Sequence, residues 1–427
     1  MKRILILAVY YPPSQAIGAK RPYKIAEFLS EANWDVTVLT VNPALTPPIN
    51  LTELENEGIR TIRTRAFVPY VSIRNRFSRY QTQRVIKSTN TVSADTKNGI
   101  IFNKLISASR HVVGKFFTSL NKIDMWGGWQ WPALAEMKKR GMRFDVVLST
   151  APPHSTAYLA MRLAAAHGGK LVLDYRDPWV EVMQSSSSSR KRKDRKILRQ
   201  IRFENECLAA ADLVLTVSPA ISAMLAKRVD KKILTVPQGF SGEIARVRFE
   251  RDNMYVLYAG SLEYGRDISQ ILSAIRRVDE LYNERLRLVY CGPDSKTANH
   301  QAISVGATQY VDIKDQVKEC EVNDYARRAL CNIVIVSKGY EYSYPGKVFD
   351  LIPAGRPIYV LSSLESEAGK LIDKYEMGYS FTDANISSMT QKLKEEISRD
   401  FCMPSQVNDL RVDKIYKMMV EEGLNTL

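Results

Sequence analysis

The sequence predicts two α/β domains, each built on a doubly wound parallel sheet. Three observations support this prediction. A length of 427 residues suits two domains of ordinary size. Short apolar runs alternate with helical patterns through the first half, and the alternation begins again after Gly239. Because a strand–helix–strand order needs crossover connections, we expect both sheets to be parallel.

The first half opens with the apolar run Arg3–Val9, which predicts a buried strand. A signal peptide is disfavoured because the run is short and ends at Pro12 and Pro13. Further strands are predicted at Val36–Val41, Asp145–Ser149, Lys170–Asp174 and Leu213–Val217, with helices at 21–31, 155–166 and 196–210. These elements define an N-terminal domain over 1–237.

The second half repeats this order and predicts a C-terminal domain over 238–400. Its strands are predicted at Tyr255–Ala259, Leu286–Cys291, Tyr310–Ile313, Ile333–Val336 and Ile358–Leu361, with helices near 267–281, 321–330, 346–353 and 366–375. A loop-like stretch, Pro237–Gly242, joins the two halves. The remaining 401–427 predict a helix that packs back on the first domain.

The net charge of +15 is concentrated in two segments of the first half. Residues 60–122 hold 13 Lys or Arg and one acid, and residues 190–202 hold eight basic residues and one acid. The first segment falls in a basic insertion, 60–125, that breaks the strand–helix pattern. Its apolar residues recur at helical spacing over 100–120, which suits either a helix packed on its own domain or one lying on an anionic membrane.

Composition excludes several classes of protein. Hydrophobic residues make up 45% and charged residues 25% of the chain, so collagen-like and fully disordered classes do not fit. Five scattered cysteines without a Cys-x-x-Cys spacing favour a reducing cytoplasm over disulfides or zinc. No apolar run reaches the 18 or so residues of a transmembrane helix.

Polar residues follow several strands of the first domain. Ligands of doubly wound sheets bind outside the carboxyl ends of the strands, which is where Gly18, His154, Arg176 and Asp177 fall. Gly18 either lets a ligand approach the backbone or is a plain turn glycine. His154 could bond a hydroxyl of a ligand or cap a helix, and Arg176 and Asp177 could hold hydroxyls of a second substrate or form a structural ion pair.

The second domain repeats this layout with more cations. Gly260 and Gly292 each follow a strand, and Arg266 stands where a helix begins. Lys347 opens the helix after a Pro-Gly loop, a position unfavourable for a cation unless an anion lies there. Asp350 is one turn further along, and carboxylates commonly accept from ribose hydroxyls. Arg266, Lys347 and Asp350 together suit a nucleotide diphosphate.

With these motifs in this order, the chain resembles family 4 glycosyltransferases. The resemblance is carried by "ILILAVYYPPSQAIGAKRPYKIAEFLSEANWDVTVLT", "LVLDYRDPW", "AADLVLTVSPAI", "VPQGF" and "YPGKVFDLIPAGRPI". It covers about residues 1–45 and 143–380. It implies the GT-B fold, in which two Rossmann-like doubly wound domains face a cleft.

The resemblance also implies site roles. Arg266 and Lys347 would face the diphosphate of a nucleotide-sugar donor, Asp350 the ribose, and Gly18 the diphosphate or sugar from across the cleft. Gly260 and Gly292 would lie along the nucleotide. Transfer would retain the anomeric configuration, with no metal and no cofactor besides the donor, and fixed cations would stabilise the departing diphosphate.

One position departs from the family pattern. The family often carries two glutamates with seven residues between them, the second at the ribose. The position eight residues before Asp350 is Tyr342, which is not an acid, and Glu341 is the residue just before it. Either Glu341 substitutes for the first glutamate or backbone amides near Ser343 serve instead. We therefore count Glu341 with His154 and Asp177 among the candidate catalytic residues.

We expect a lipid-linked saccharide acceptor and a role in bacterial O-antigen, capsule or exopolysaccharide synthesis. The two basic segments would then meet an anionic membrane, placing the protein peripherally on the cytoplasmic face. A nucleotide-sugar epimerase of the same fold is an alternative, although only His154 is well placed for its chemistry. A nucleic-acid-binding protein is a further alternative, disfavoured because the segments lack interleaved stacking aromatics.

Overall fold

The computed structural model describes residues 1–46, 58–68, 123–181, 190–246, 251, 254–315, 317–382 and 385–427. Its contacts divide the chain into two compact units. The N-terminal unit comprises Met1–Thr216, Ala226–Leu234 and Glu421–Leu427. The C-terminal unit comprises Val217–Leu225 and Thr235–Val420.

The N-terminal unit contains a seven-stranded sheet in the order β3-β2-β1-β4-β5-β6-β7. Its strands are β1 (Arg3–Leu7), β2 (Asp35–Val41), β3 (Arg60–Thr64), β4 (Val146–Ala151), β5 (Lys170–Tyr175), β6 (Leu213–Thr216) and β7 (Ile233–Thr235). β1 pairs in parallel with both β2 and β4, and Ile4–Leu7 are fully buried. A parallel strand covered on both faces needs apolar residues at every position, which is why Arg3–Val9 shows no alternation.

The helices associated with these strands are α1 (Lys20–Glu31), α2 (Gln130–Arg140), α3 (Ser155–His167), α4 (Arg190–Ala210) and α5 (Pro219–Ala226). α1 shows the expected amphipathic pattern, with Ile25, Ala26 and Leu29 buried. α2 ends at Gly141, whose φ of 62° is the left-handed conformation that closes helices.

The C-terminal unit contains a six-stranded sheet in the order β10-β9-β8-β11-β12-β13. Its strands are β8 (Tyr255–Ala259), β9 (Arg287–Cys291), β10 (Val311–Lys314), β11 (Asn332–Ile335), β12 (Ile358–Ser362) and β13 (Gly378–Thr382). Successive residues of β8 enter different apolar clusters, Val256 one and Leu257 the other. The sheet is therefore covered on both faces, as expected for a doubly wound domain.

Its helices are α6 (Ser269–Tyr282), α7 (Ser295–Ser304), α8 (Glu319–Arg328), α9 (Gly346–Leu351), α10 (Glu367–Lys374), α11 (Ile386–Ser398) and α12 (Val412–Met418). The chain beyond α11 is less regular than the single helix expected over 401–427. A 3-10 turn at Ser405–Leu410 precedes α12, and a π-helical turn at Met419–Gly423 follows it.

An insertion was predicted over 60–125, and its predicted start at residue 60 is wrong. Arg60–Thr64 form β3, which pairs in parallel with β2 at the edge of the sheet. The local charge hid this strand because an edge position leaves Arg60 exposed while Ile62 is buried. The helix expected over 100–120 lies outside the described residues. In the described part of the chain, no helix combines the length and apolarity needed to cross a membrane.

Candidate functional site

A buried ion pair fixes the start of α1 to the end of β5 in the N-terminal unit. Arg21 donates from Nε to Asp174 Oδ2 at 2.8 Å and from Nη2 to Oδ1 at 2.7 Å. The two side chains are only 4% and 0% exposed. A desolvated bidentate pair of this kind satisfies both charges internally. Its role is therefore to hold the edge of the sheet together.

Arg176 joins two loops at the same edge. Its Nη1 donates to Gly18 O at 3.1 Å, its Nε to Ala151 O at 3.4 Å, and its Nη2 to Pro152 O. Burial lowers the pKa of Arg176, and the charges of nearby acids oppose this. The guanidinium is thus committed to backbone carbonyls, which makes Arg176 a positioning residue rather than a ready acceptor contact.

Gly18 and Asp177 lie on either side of this guanidinium. A Cβ on Gly18 would stand 3.2 Å from Arg176 Nη1 and 3.2 Å from Tyr10 Cδ2, so close packing favours glycine there. Asp177 follows Arg176 directly and is partly exposed. Burial raises the pKa of Asp177 and the charge of Arg176 opposes it. The predicted edge residues Gly18, Arg176 and Asp177 are therefore brought together.

His154 stands directly before α3 and stacks on Trp179. The ring centroids are 4.8 Å apart and the planes differ by 6°. Its side chain does not cap the helix, and Nδ1 is buried without a hydrogen-bond partner among the described residues. Burial, with the charge of Arg176, lowers the pKa of His154 to about 3. The imidazole is therefore neutral at pH 7 and suited to hydrogen bonding rather than to proton donation.

The stacking partner of His154 is itself anchored, by residues that the sequence did not single out. Trp179 donates from Nε1 to Gln200 Oε1 at 2.9 Å, and Gln200 donates from Nε2 to the carbonyl of Ile123 at 3.1 Å. The next residue, Asp124, accepts from the Ser155 amide at 2.8 Å. Burial raises the pKa of Asp124. No local pattern could reveal this network because its members come from four separate segments of the chain.

Lys347 dominates the corresponding edge of the C-terminal unit. Its Nζ donates to the carbonyl of Ala259 at the end of β8 and lies 5.7 Å from the centroid of the Tyr258 ring. A Cβ on Gly260 would overlap this ammonium, so a larger residue there would require the Lys347 side chain to move. Burial of the ammonium, followed by the charge of Arg266, lowers the pKa of Lys347 to about 8. The charge of Asp350 acts in the opposite direction.

Arg266 is the second cation of this edge. Its guanidinium carbon lies 5.9 Å from the centroid of the Tyr264 ring. Its main-chain carbonyl accepts from Gln301 Nε2 at 3.1 Å. Neither Arg266 nor Lys347 forms a salt bridge with another described residue, although each affects the other electrostatically. Two cations held this way are arranged to receive an anion.

Gly292 and Asp350 complete the predicted nucleotide side. A Cβ on Gly292 would stand 2.3 Å from Gly260 O and 2.4 Å from Tyr290 Oη, so the ends of β8 and β9 approach closely at two glycines. Asp350 is exposed on α9, one turn beyond Lys347. Gly260, Gly292, Arg266, Lys347 and Asp350 therefore gather at one edge of one sheet.

Glu341 is engaged by its own surroundings. Oε2 accepts from the Gly339 amide at 2.8 Å and Oε1 from Ser363 Oγ at 3.2 Å. Its main-chain carbonyl accepts from the Glu367 amide at 2.8 Å. The carboxylate thus braces the loop between β11 and α9. Across the described ranges, no group of three or more His, Cys, Asp or Glu is arranged to hold a metal ion.

Comparison with known proteins matches part of the chain to one family and the whole chain to one fold. Residues 91–241 match the sequence profile of Glycosyltransferase Family 4, which confirms the predicted resemblance and the class of enzyme. A sucrose-phosphate synthase from Thermosynechococcus elongatus superposes with a TM-score of 0.63 at 15% identity, covering 100% of this chain and 99% of that one. No curated protein sequence matches the chain.

Two proteins of lipopolysaccharide synthesis are also similar in structure. The lipopolysaccharide outer core galactosyltransferase WaaB gives a TM-score of 0.59 at 12% identity, with 100% of both chains covered. WaaG, a glycosyltransferase involved in lipopolysaccharide biosynthesis, gives 0.53 at 12%, covering 99% of this chain and 97% of that one. Identities this low show the fold alone, and the fold is the predicted GT-B.

Proposed function

We propose that this glycosyltransferase moves a sugar from a nucleotide-diphosphate donor to a lipid-linked saccharide during synthesis of a bacterial surface polysaccharide. The observation that carries the donor assignment is the pair Lys347 and Arg266. Both are held at the carboxyl edge of a parallel sheet, and no described carboxylate forms a salt bridge with either. A diphosphate supplies a negative counter-charge for Lys347 and Arg266.

The donor is placed by the groups around these cations. Lys347 and Arg266 bind the diphosphate, and the close approach at Gly260 and Gly292 lets the nucleotide lie against the backbone. Asp350 accepts hydrogen bonds from the ribose hydroxyls. Binding the diphosphate restores a counter-charge to Lys347, so the pKa of its ammonium should rise from about 8.

The reaction is a substitution at the anomeric carbon in which the acceptor hydroxyl approaches from the face that the diphosphate leaves. A hydroxyl of the acceptor forms the new C1–O bond, the bond from C1 to the diphosphate oxygen breaks, and the hydroxyl proton leaves with a diphosphate oxygen. Lys347 and Arg266 stabilise the charge that develops on the departing diphosphate. We propose retention of configuration and a metal-free reaction, because the two cations supply the stabilisation that a bound divalent ion would give.

The N-terminal unit supplies the acceptor side. His154 is neutral and its Nδ1 is available, so it hydrogen-bonds a saccharide hydroxyl without transferring a proton. Asp177 is the partly exposed carboxylate beside it that can accept from a second hydroxyl. Arg176 and Gly18 shape this surface through their mutual contact. Glu341 keeps its loop in shape instead of touching the sugar.

The basic segments 60–122 and 190–202 support a membrane-bound acceptor. They carry 21 Lys or Arg between them against two acids. Polybasic segments bind anionic lipid with about 1 kcal/mol per cation near the surface. We propose peripheral attachment at the cytoplasmic face, where lipid-linked saccharides carrying a diphosphate would be reached. Vesicle sedimentation with and without phosphatidylglycerol tests this part separately.

A thermal-shift screen against UDP, GDP, dTDP and CMP sugars tests the donor assignment. We expect one nucleotide to raise the melting temperature, because a ligand that binds only the native state stabilises it. The Lys347→Ala variant should lose this shift, whereas Lys374→Ala, which removes an exposed lysine of the same unit, should keep it. An unchanged shift in Lys347→Ala would show that the diphosphate site is elsewhere. Turnover in EDTA tests metal independence.

A further inference from the structure

Two exposed tyrosines stand beside the proposed diphosphate site. Tyr264 is 69% exposed and Tyr340 is 39% exposed. Their ring centroids are 6.4 Å apart with planes at 61°, although they come from loops after β8 and β11. Tyr342 continues the series, with its ring 6.1 Å from that of Tyr340. We call Tyr264, Tyr340 and Tyr342 the tyrosine row.

The backbone presents Tyr264 to solvent at a conformational cost. Its φ is 59°, which is unusual for a bulky residue, and Gly265 continues the left-handed path with a φ of 73°. The loop is anchored just before this point, where Leu262 N donates to Asp294 Oδ2 at 2.7 Å. A disfavoured conformation that surrounding bonds maintain points to a use for the side chain it displays.

The loop that carries Tyr340 is equally well held. Tyr340 N donates to Ser337 O at 3.0 Å, and Ser343 N donates to Tyr340 O at 3.1 Å. Glu341 closes the same loop through Gly339 and Ser363. The ring of Tyr340 is therefore exposed on a rigid support, which lowers the entropic cost of binding a ligand against it.

We propose that the tyrosine row binds the face of the donor's hexopyranose ring, an inference that rests on the proposed function. One face of a pyranose presents C–H groups that pack on aromatic rings, while its hydroxyls reach the phenolic oxygens. The row begins where Arg266 lies over the Tyr264 ring. In the donor, the hexose is bonded directly to the diphosphate, whereas the base is separated from it by the ribose. The ribose is bonded to the other end of the diphosphate and is assigned to Asp350, so the hexose is the group that we assign to the row.

Paired titrations separate the sugar from the nucleotide. UDP and UDP-glucose, GDP and GDP-mannose, and dTDP and dTDP-glucose are titrated calorimetrically into the wild type and into Tyr340→Ala. For the pair that binds, we expect the affinity for the nucleotide sugar to fall about tenfold and the affinity for the free diphosphate to stay unchanged. Tyr340→Phe should preserve most of the affinity. Tyr282→Ala, which removes a tyrosine of similar exposure on α6, is the matched control.

A second variant removes the other exposed ring. Tyr264→Asn keeps a residue that tolerates the left-handed backbone, and it should also weaken the nucleotide sugar more than the free diphosphate. Equal losses for both ligands in Tyr340→Ala would overturn the inference and assign the row to the nucleotide. Unchanged affinities would show that the row does not touch the donor. If the wild type binds none of the six ligands, the proposed function itself fails.

Discussion

The cations at the carboxyl edges of the two sheets have different bonding partners. In the N-terminal unit, Arg21 is paired with Asp174, and Arg176 donates hydrogen bonds to three backbone carbonyls. In the C-terminal unit, Lys347 has one backbone carbonyl and Arg266 an aromatic ring. The cations of the first edge are bonded within the protein, whereas neither cation of the second edge forms a salt bridge with a described carboxylate.

The difference is whether a cation is paired with a carboxylate inside the protein. A buried cation with a matched carboxylate contributes to the fold, and removing one partner leaves an uncompensated charge. Lys347 has no described carboxylate in a salt bridge, and burial of its ammonium, followed by the charge of Arg266, lowers its pKa to about 8. Cations that follow strands at the carboxyl edges of two similar sheets can therefore have different partners.

The largest effect should come from breaking the internal pair of the N-terminal edge. Asp174→Asn leaves Arg21 buried without a counter-charge, and we expect the free energy of unfolding to fall by about 3–5 kcal/mol. Urea denaturation measures this change. Glu136→Gln is the control, because it breaks an exposed pair with Arg140 worth about 0.2–1 kcal/mol. A loss in Asp174→Asn no larger than the control would show that the pair is not structural.

The next effect tests the C-terminal edge through its glycine. In Gly260→Ala, the new Cβ must displace the Lys347 ammonium, so we expect diphosphate affinity to fall about 10- to 100-fold, corresponding to one charged hydrogen bond. Gly242→Ala introduces the same residue at another glycine of positive φ, with open space around it, and should bind normally. Calorimetric titration compares them. Normal binding by Gly260→Ala would place the anion elsewhere.

A third prediction follows from the pKa of Lys347, which is about 8. Because the lysine loses its charge as the pH rises through this value, diphosphate binding should weaken by up to about tenfold per unit above pH 8. Binding in that range should also take up protons from the buffer. Lys347→Arg keeps its charge and should bind independently of pH between 8 and 10. A wild type with the same flat profile would contradict the assignment.

The smallest effect concerns a buried carboxyl of α4 that is hydrogen-bonded by the backbone of Trp179. Glu204 contacts Arg228 at 2.7 Å, and burial raises the pKa of Glu204 to about 7. A raised pKa means that the folded state binds the proton more tightly, so the stabilisation is lost as the pH rises from about 5 to about 8. Glu204→Gln should flatten the dependence of the melting temperature on pH. Glu396, with a pKa also raised to about 7 by burial, should contribute a dependence of the same sign.

Much of the fold was predictable because a buried strand requires a run of apolar residues in the sequence. β8 was predicted to the residue, and β1, β4 and β5 within two residues, since each is a continuous apolar run. Elements with weaker patterns were missed. β3 is a charged edge strand, and β13 begins at Gly378 with only partly buried residues. An edge strand has fewer buried positions, so its sequence carries less of the signal.

The sequence could predict which residues lie at the same edge of a sheet, but not which partners their side chains contact. Loops after parallel strands converge on one edge whatever their sequences, so Gly18, His154 and Arg176 could be grouped in advance. That Arg176 would be occupied by carbonyls could not be foreseen, because those carbonyls belong to loops 158 and about 25 residues away along the chain. The anchoring of Trp179 by Gln200 has the same origin.

By itself, the sequence determined two parallel α/β units and most of the strands that build them. Apolar periodicity and turn residues act over a few positions, and they suffice for that much. Only the tertiary structure decided which charges were satisfied. Arg21 and Lys347 both open helices after a loop, and the difference between them is Asp174, which stands 153 residues from Arg21. Pairing at that distance depends on how the whole sheet assembles, and no local pattern records it.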